Sequence, residues 1–263
     1  MCAPNGARKT RDDHPALPIS PTELADCAES ILDAGASMIH VHVRDDTGGH
    51  SLDADRYRNA IGAIRGRIGE GLVIQATTEA CGIYSAEQQM AMVKELKPEA
   101  ASVALREICP DQEAESAAAD FYAWTNAEKI MVQHILYSPE EVQRFEALRS
   151  RGVIGDEKPF VLFVLGRYTT TLTGDVSELQ SFINAVSKNT SWAVCCFGAT
   201  ESEAVVRAAA LGGHARVGFE NNILLPDGTQ AGDNAALIRV AANAGLHQLR
   251  TPASADDVRS MFT

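Results

Sequence analysis

The sequence predicts a (β/α)8, or TIM, barrel, and three observations carry that expectation. Short apolar runs alternate with amphipathic stretches of helical period along all 263 residues, the pattern of repeated strand–helix units. The runs are almost continuously apolar, as strands buried on both faces of a parallel sheet are. Seven such runs, with space for the stub of an eighth, fit a chain close to the roughly 250 residues typical of a barrel. No G-x-G-x-x-G follows the first strand to favour an open dinucleotide-binding sheet.

Taken in order, the chain has almost no space for a first strand, because only Met1 to Pro4 precede an Asn5-Gly6 turn. That strand is expected to be a stub, or the chain to begin downstream of its natural start. Ser20 then caps a first helix with Pro21 in its first turn, ending near Ala34-Gly35. A strand runs from Met38 to Val43. A helix near Asp53 to Arg67 leads to a strand at Leu72 to Thr77, and a helix at Ser85 to Leu96 stops before Lys97-Pro98. Further strands are expected at Ala100 to Leu105, Ile130 to Leu136, Phe160 to Leu165, Trp192 to Phe197 and His214 to Phe219. Helices fill the intervals around Gln112 to Thr125, Pro139 to Arg151, Val176 to Ser187 and Glu201 to Ala210, with a last one near Asn234 to Ala244. No linker, repeat or low-complexity run divides the chain, so residues 1–263 read as one domain.

A formal net charge of −12 argues against nucleic acid or an anionic membrane as partner, since phosphate would be repelled on average. No apolar stretch approaches the roughly 20 residues of a membrane span, and the amino terminus lacks a signal-peptide core. The six cysteines have no C-x-x-C spacing, and Cys195-Cys196 sit inside an apolar strand, so reduced thiols and a cytoplasmic location are expected.

The chemistry concentrates in Ile39-His40-Val41-His42-Val43-Arg44-Asp45. Alternation along a strand turns His40 and His42 to one face, at a spacing that can hold one metal ion. The run ends in charged residues and a glycine-rich loop, which places the pair at the carboxyl end of its strand, the working face of such barrels. The same filter leaves Gln75-Ala76-Thr77-Thr78-Glu79, Arg106-Glu107 and Arg216-Val217-Gly218-Phe219-Glu220-Asn221-Asn222. The last strand lies two places from the histidine strand, so Glu220 can reach across a thin first strand. Two imidazoles and a carboxylate suit a catalytic zinc, and non-haem iron uses the same ligand types. Metal-dependent hydrolases with H-x-H in a barrel need further histidines on later strands and an aspartate on the last. Here His134 stands alone in its strand, Phe160 to Leu165 offers none, and the last strand gives Glu220-Asn221. His134 is therefore expected to be a core residue or to support the site from behind.

Pro15-Ala16-Leu17-Pro18-Ile19, Ala34-Gly35-Ala36 leading into His40-Val41-His42-Val43-Arg44, Lys97-Pro98-Glu99, Phe163-Val164-Leu165-Gly166, Trp192-Ala193-Val194 and Gly212-Gly213-His214-Ala215-Arg216-Val217-Gly218-Phe219-Glu220 form an ordered set that resembles the β-keto acid cleavage enzymes. The resemblance implies a Zn2+-dependent reaction of a β-keto acid with acetyl-CoA, giving acetoacetate and a new acyl-CoA. It implies His40, His42 and Glu220 as zinc ligands, Arg216 as the residue that activates substrate and Thr77 as a substrate contact, with Thr78 beside it. It also implies association, a dimer or tetramer. The chemistry asks for these types independently. Cleaving between the α and β carbons of a β-keto acid leaves an enolate, which a Lewis acid stabilises, and an arginine holds a carboxylate by two parallel hydrogen bonds.

The family pattern has an aspartate after the metal-binding glutamate, acting with the arginine as base. This chain has Asn221, which accepts no proton usefully and is read as a substrate contact. Arg8 stands where the family pattern carries a carboxylate, and Glu79 and Arg106-Glu107 replace small neutral tips. Glu79 and Glu107 become candidates for the displaced base, each alternatively an ion-pair partner of Arg8 or Arg106. With Arg8 and Arg106 counted as substrate contacts, these charges favour a β-keto acid whose far end is polar or charged. Phe197-Gly198-Ala199-Thr200 and Gly166-Arg167 are the loops expected near the coenzyme. A hydrolase or aldolase on the same metal, or a barrel that keeps a metal without turnover, are the alternative readings.

Overall fold

In the computed structural model, which describes residues 1–155 and 157–262, seven parallel strands form one curled sheet. They are β1 (Met38–Val41), β4 (Val73–Thr77), β5 (Ala100–Ala104), β6 (Met131–Leu136), β7 (Phe160–Leu165), β8 (Ser191–Cys196) and β9 (His214–Ala215), neighbours in that order. The expected stub closes the ring. Cys2 bridges in parallel to both Ile39 and Val217, with Cys2 N–H donating to the Met38 carbonyl at 2.8 Å and Ala3 N–H to the Val217 carbonyl at 2.8 Å.

Side chains alternate as a barrel requires. Met38, Val73, Ala100, Met131, Phe160, Leu162, Ala193 and Cys195 pack together inside, while Ile39, Val41, Ile74, Ala101, Val103, Val161 and Val194 pack outward on the helices. The helix layer comprises α1 (Pro21–Asp33), α2 (Ala54–Ile68), α3 (Ala86–Leu96), α4 (Leu105–Ile108), α5 (Glu115–Ala127), α6 (Pro139–Ser150), α7 (Leu179–Ala185), α8 (Glu201–Ala210), α9 (Asn234–His247) and α10 (Ala255–Phe262). Ser20 caps α1 as expected and forms a reciprocal box with Glu23, a device worth about 1 kcal/mol. None of these helices is long and apolar enough to cross a membrane.

Three expectations need correcting. The Met38–Val43 strand is interrupted at His42, and Val43–Arg44 (β2) leaves the barrel to pair antiparallel with His50–Ser51 (β3). Asn5 causes the break: its amide donates to the His42 carbonyl and to the Pro18 carbonyl, each at 3.0 Å. The last strand stops at Ala215, and Glu220 sits in a turn closed by Asn221 and Asn222 N–H groups on the Gly218 carbonyl at 2.8 and 3.0 Å. Gly218 is needed there, since its φ is +134° and a Cβ would lie 2.5 Å from the Ala3 carbonyl oxygen. Arg106 and Glu107, expected at a strand tip, lie in the single turn α4, and α10 was not anticipated at all.

Candidate metal centre and active site

His40 and His42 meet at the carboxyl end of the barrel although only His40 lies in β1. Their Nε2 atoms are 3.0 Å apart, and Glu220 Oε2 lies 3.6 Å from the first and 3.2 Å from the second. One ligand atom from each of the three falls within 4.8 Å of the others. His40 Nδ1 is 2.8 Å from Gln75 Oε1, and Gln75 passes the interaction on by donating to Gln133 Oε1 at 3.3 Å. This chain fixes the proton on His40 Nδ1 and leaves Nε2 with a lone pair toward His42 and Glu220.

Glu220 divides its two oxygens. Oε1 accepts from Arg216 Nη2 at 2.8 Å, whereas the buried Oε2 has no hydrogen-bond partner. An unpartnered carboxylate oxygen facing two imidazole nitrogens is an electron-rich point that a divalent cation would satisfy, and two imidazoles with one carboxylate form a donor set that leaves such an ion an open position. Burial, with Arg216 and His42 adding to it against the pull of Glu220, drives His40 down to about 3. Burial works to raise Glu220, but Arg216, His42 and His40 outweigh it and hold the carboxyl well below its ordinary value. Neutral imidazole and ionised carboxylate are the ligand forms.

The loop at residues 5–9 covers the cluster from one side. Arg44 donates to the Gly6 carbonyl at 2.7 Å, the Lys9 carbonyl at 2.9 Å and the Gly48 carbonyl at 2.9 Å, and Lys9 Nζ donates to the Phe219 and Glu220 carbonyls at 2.5 and 3.1 Å. Gly6, with φ +63°, lets the loop approach so closely that an added Cβ would stand 2.6 Å from Glu220 Cγ.

Two cavities meet at Glu79, Arg167, Phe197 and Glu220. A narrow inner chamber of about 30 Å³ is lined by His40, His42, Thr77, Thr78, Glu107 and Arg216 among others. An outer cavity of about 270 Å³ is lined by Gly6, Arg8, Lys9, Gly198, Asn221 and Leu224 among others. Both loops expected near a coenzyme, Gly166-Arg167 and Phe197-Gly198, thus reach this outer space.

The remaining expected residues divide. Thr77 Oγ1 accepts from Glu79 N–H at 3.0 Å, and Thr78 Oγ1 donates to the Ser102 carbonyl at 2.9 Å. Asn221 is buried with both amide atoms unpartnered. Arg8 pairs with Glu79 at 2.6 Å, and Glu79 Oε2 stands 4.0 Å from His42 Nδ1. Burial favours the neutral acid, yet His42 and Arg8 hold Glu79 below its ordinary value. Glu107, raised by burial, does not pair with Arg106. That arginine instead pairs with Glu141 at 2.5 Å and lies over the rings of Tyr137 and Tyr168 at 4.4 and 4.7 Å, and it is absent from the lining of both cavities. His134 points away from the barrel interior, against Tyr122 and Phe145 at ring distances of 5.2 and 4.8 Å. Sequence reasoning gave no role to Gln133, Lys9 or Tyr137, and saw Gln75 only as part of a strand tip. A lone glutamine inside each of two apolar runs, Gln75 and Gln133, was the available signal; that Gln75 stands opposite His40 comes from the register.

The model of the beta-keto acid cleavage enzyme family matches residues 1–263. The chain is 29% identical over 265 residues to a 3-keto-5-aminohexanoate cleavage enzyme of Fusobacterium nucleatum subsp. nucleatum, covering 98% of this chain and 94% of that one. It is 26% identical over 248 residues to a 3-oxoadipate:acetyl-CoA acetyltransferase of Cupriavidus necator, covering 90% and 84%. Among solved structures it resembles the apo structure of ObcA in fold, with a TM-score of 0.75 at 17% identity, covering 94% of this chain and 65% of that one. With a match along its whole length, this chain belongs to the beta-keto acid cleavage enzyme family.

Proposed function

We propose that the protein binds Zn2+ through His40, His42 and Glu220 and exchanges acyl groups between a β-keto acid and acetyl-CoA. The observation that carries this reading is the split carboxylate of Glu220, one oxygen turned to the two imidazoles and the other anchoring Arg216. When bound, the metal supplies Lewis acidity that polarises a keto oxygen as negative charge develops there.

The chain's own residues supply the rest. Arg216 keeps its charge, because Glu220 opposes the cost of burial. Its buried Nε has no partner and serves the substrate carboxylate. Thr77 and Thr78 border the keto acid in the inner chamber. Asn221 offers an amide donor and acceptor to the reactants from the outer cavity, where Arg8 borders the incoming thioester. Asn221 accepts no proton, so Glu79, beside the ligand cluster, takes the α-proton and Glu107 is the second carboxylate of the chamber. The exchange is balanced: the α carbon gains acetyl from sulfur and gives its original acyl group to sulfur, and the α-proton returns to the acetoacetate released. We place this activity in the cytoplasm, in keeping with the free cysteines, and in a homo-oligomer, dimer or tetramer, as the family resemblance implies.

Incubating zinc-loaded protein with a panel of β-keto acids should give acetoacetate and the matching acyl-CoA only when acetyl-CoA is present. Keto acid consumption without the thioester would replace this reading by a hydrolase or aldolase on the same metal.

A further inference from the structure

Resting on the reading of His40, His42 and Glu220 as metal ligands, one buried carboxyl outside the lining of both cavities bears on how Glu220 is aimed. The last strand stops at Ala215, so no strand ladder fixes Glu220, and the turn from Gly218 to Asn222 depends on side chains that grip it. Lys9 and Asn234 grip its middle, through the Phe219 and Glu220 carbonyls and the Phe219 N–H. Its ends face Glu201, the first residue of α8. Glu201 Oε2 accepts from Asn222 Nδ2 at 3.2 Å, and Asn222 N–H closes the turn on the Gly218 carbonyl at 3.0 Å. A backbone tie runs alongside, with Gly198 N–H donating to the Asn221 carbonyl and Glu201 N–H to the Gly198 carbonyl, each at 3.2 Å.

Glu201 is completely buried, and its Oε1 has no hydrogen-bond partner. Burial raises its carboxyl to about 8, against the pull of Asn222 and of the Gly218 N–H, so near neutral pH it is mainly the uncharged acid. A leucine at this place would fill much the same space without desolvating a polar group. What the acid adds is an acceptor aimed at the turn.

We propose that Glu201 is a positioning residue: through Asn222 it holds the turn in the setting that aims Glu220 Oε2 at the two imidazoles while Oε1 stays on Arg216.

The test is zinc affinity by competition with a chelator, with melting of the metal-free protein alongside. Glu201→Leu should bind zinc about 10- to 100-fold more weakly, the usual loss when the support of a ligand is removed. Glu201→Gln, which keeps an oxygen for Asn222 in a side chain of the same shape, should stay within about 3-fold of wild type. Asn222→Ala breaks the link from its other end and should lose a similar factor, and the double variant no more than either single one; it carries the test should Glu201→Leu not fold. Wild-type affinity in Glu201→Leu with only a lowered melting temperature would make the carboxyl a packing residue and overturn the proposal, as would a Glu201→Gln variant that loses as much as the leucine one. The expected order of affinities with no acetoacetate formed from β-keto acids and acetyl-CoA would support Glu201 in this role and sink the acyl exchange alone. A wild type that binds no zinc would overturn both.

Discussion

Replacing Gln75 by leucine removes the one acceptor that His40 Nδ1 has while keeping most of the side-chain volume. Both residues are completely buried, so no water steps in, and the 2.8 Å contact is lost outright. The imidazole is then free to move its proton to Nε2, the atom that faces Glu220 and His42. Removing such an orienting partner typically weakens metal binding 10- to 100-fold, about 1.4–2.7 kcal/mol. That agrees with the roughly 1–3 kcal/mol for stranding a buried polar group. A competitive titration of zinc against a chelator measures the change, and melting of the metal-free protein checks that the variant folds. Gln75→Glu, which retains an acceptor for His40 Nδ1, should bind zinc within about 3-fold of wild type. Affinity of Gln75→Leu within about 3-fold of wild type would refute the role given to this side chain.

Gly6→Ala would push a methyl group to 2.6 Å from Glu220 Cγ at a positive φ, so zinc affinity and turnover should both fall by at least about 10-fold while the melting temperature changes little, since the strain is of order 1 kcal/mol. Glu220→Ala leaves Arg216 buried without its partner, and denaturant unfolding of the metal-free protein should show a loss of about 3–5 kcal/mol. Acidification should destabilise the metal-free protein. Burial holds His40 at about 3 and His50 and His214 at about 4, so each takes up a proton on unfolding between those values and about 6.5. Glu201, raised by burial to about 8, releases one on unfolding above its ordinary value and opposes them. Near pH 5 the net uptake is about two protons, so stability should fall by about 3 kcal/mol per unit of pH lowered; a melting temperature flat between pH 6.5 and 4.5 would contradict this.

The barrel was legible because its strands are buried on both faces and leave unmixed apolar runs, and because Pro21, Gly35 and Pro98 punctuate the helices where periodicity ends. The convergence of His40, His42 and Glu220 was legible through alternation and barrel order, although neither His42 nor Glu220 lies in a regular strand. Both positions depend on contacts remote in sequence, Asn5 on the His42 carbonyl and Asn234 on Phe219 N–H and the Pro4 carbonyl, which no local pattern announces. Charge partners were the least legible. Arg106 chose Glu141 across 35 residues rather than adjacent Glu107, because α4 turns the arginine toward α6 and the rings of Tyr137 and Tyr168. The support of His40 by Gln75 and Gln133 is likewise a matter of sheet register, visible only once β1, β4 and β6 are placed.

Metal analysis of the purified protein beside its His42→Ala and Glu220→Gln variants tests the centre most directly. One zinc per chain in the wild type, with little or none retained by either variant after dialysis against a weak chelator, is the expected result. Equal metal content in all three, or a wild type that takes up no divalent ion, would contradict the site on which the proposed chemistry stands.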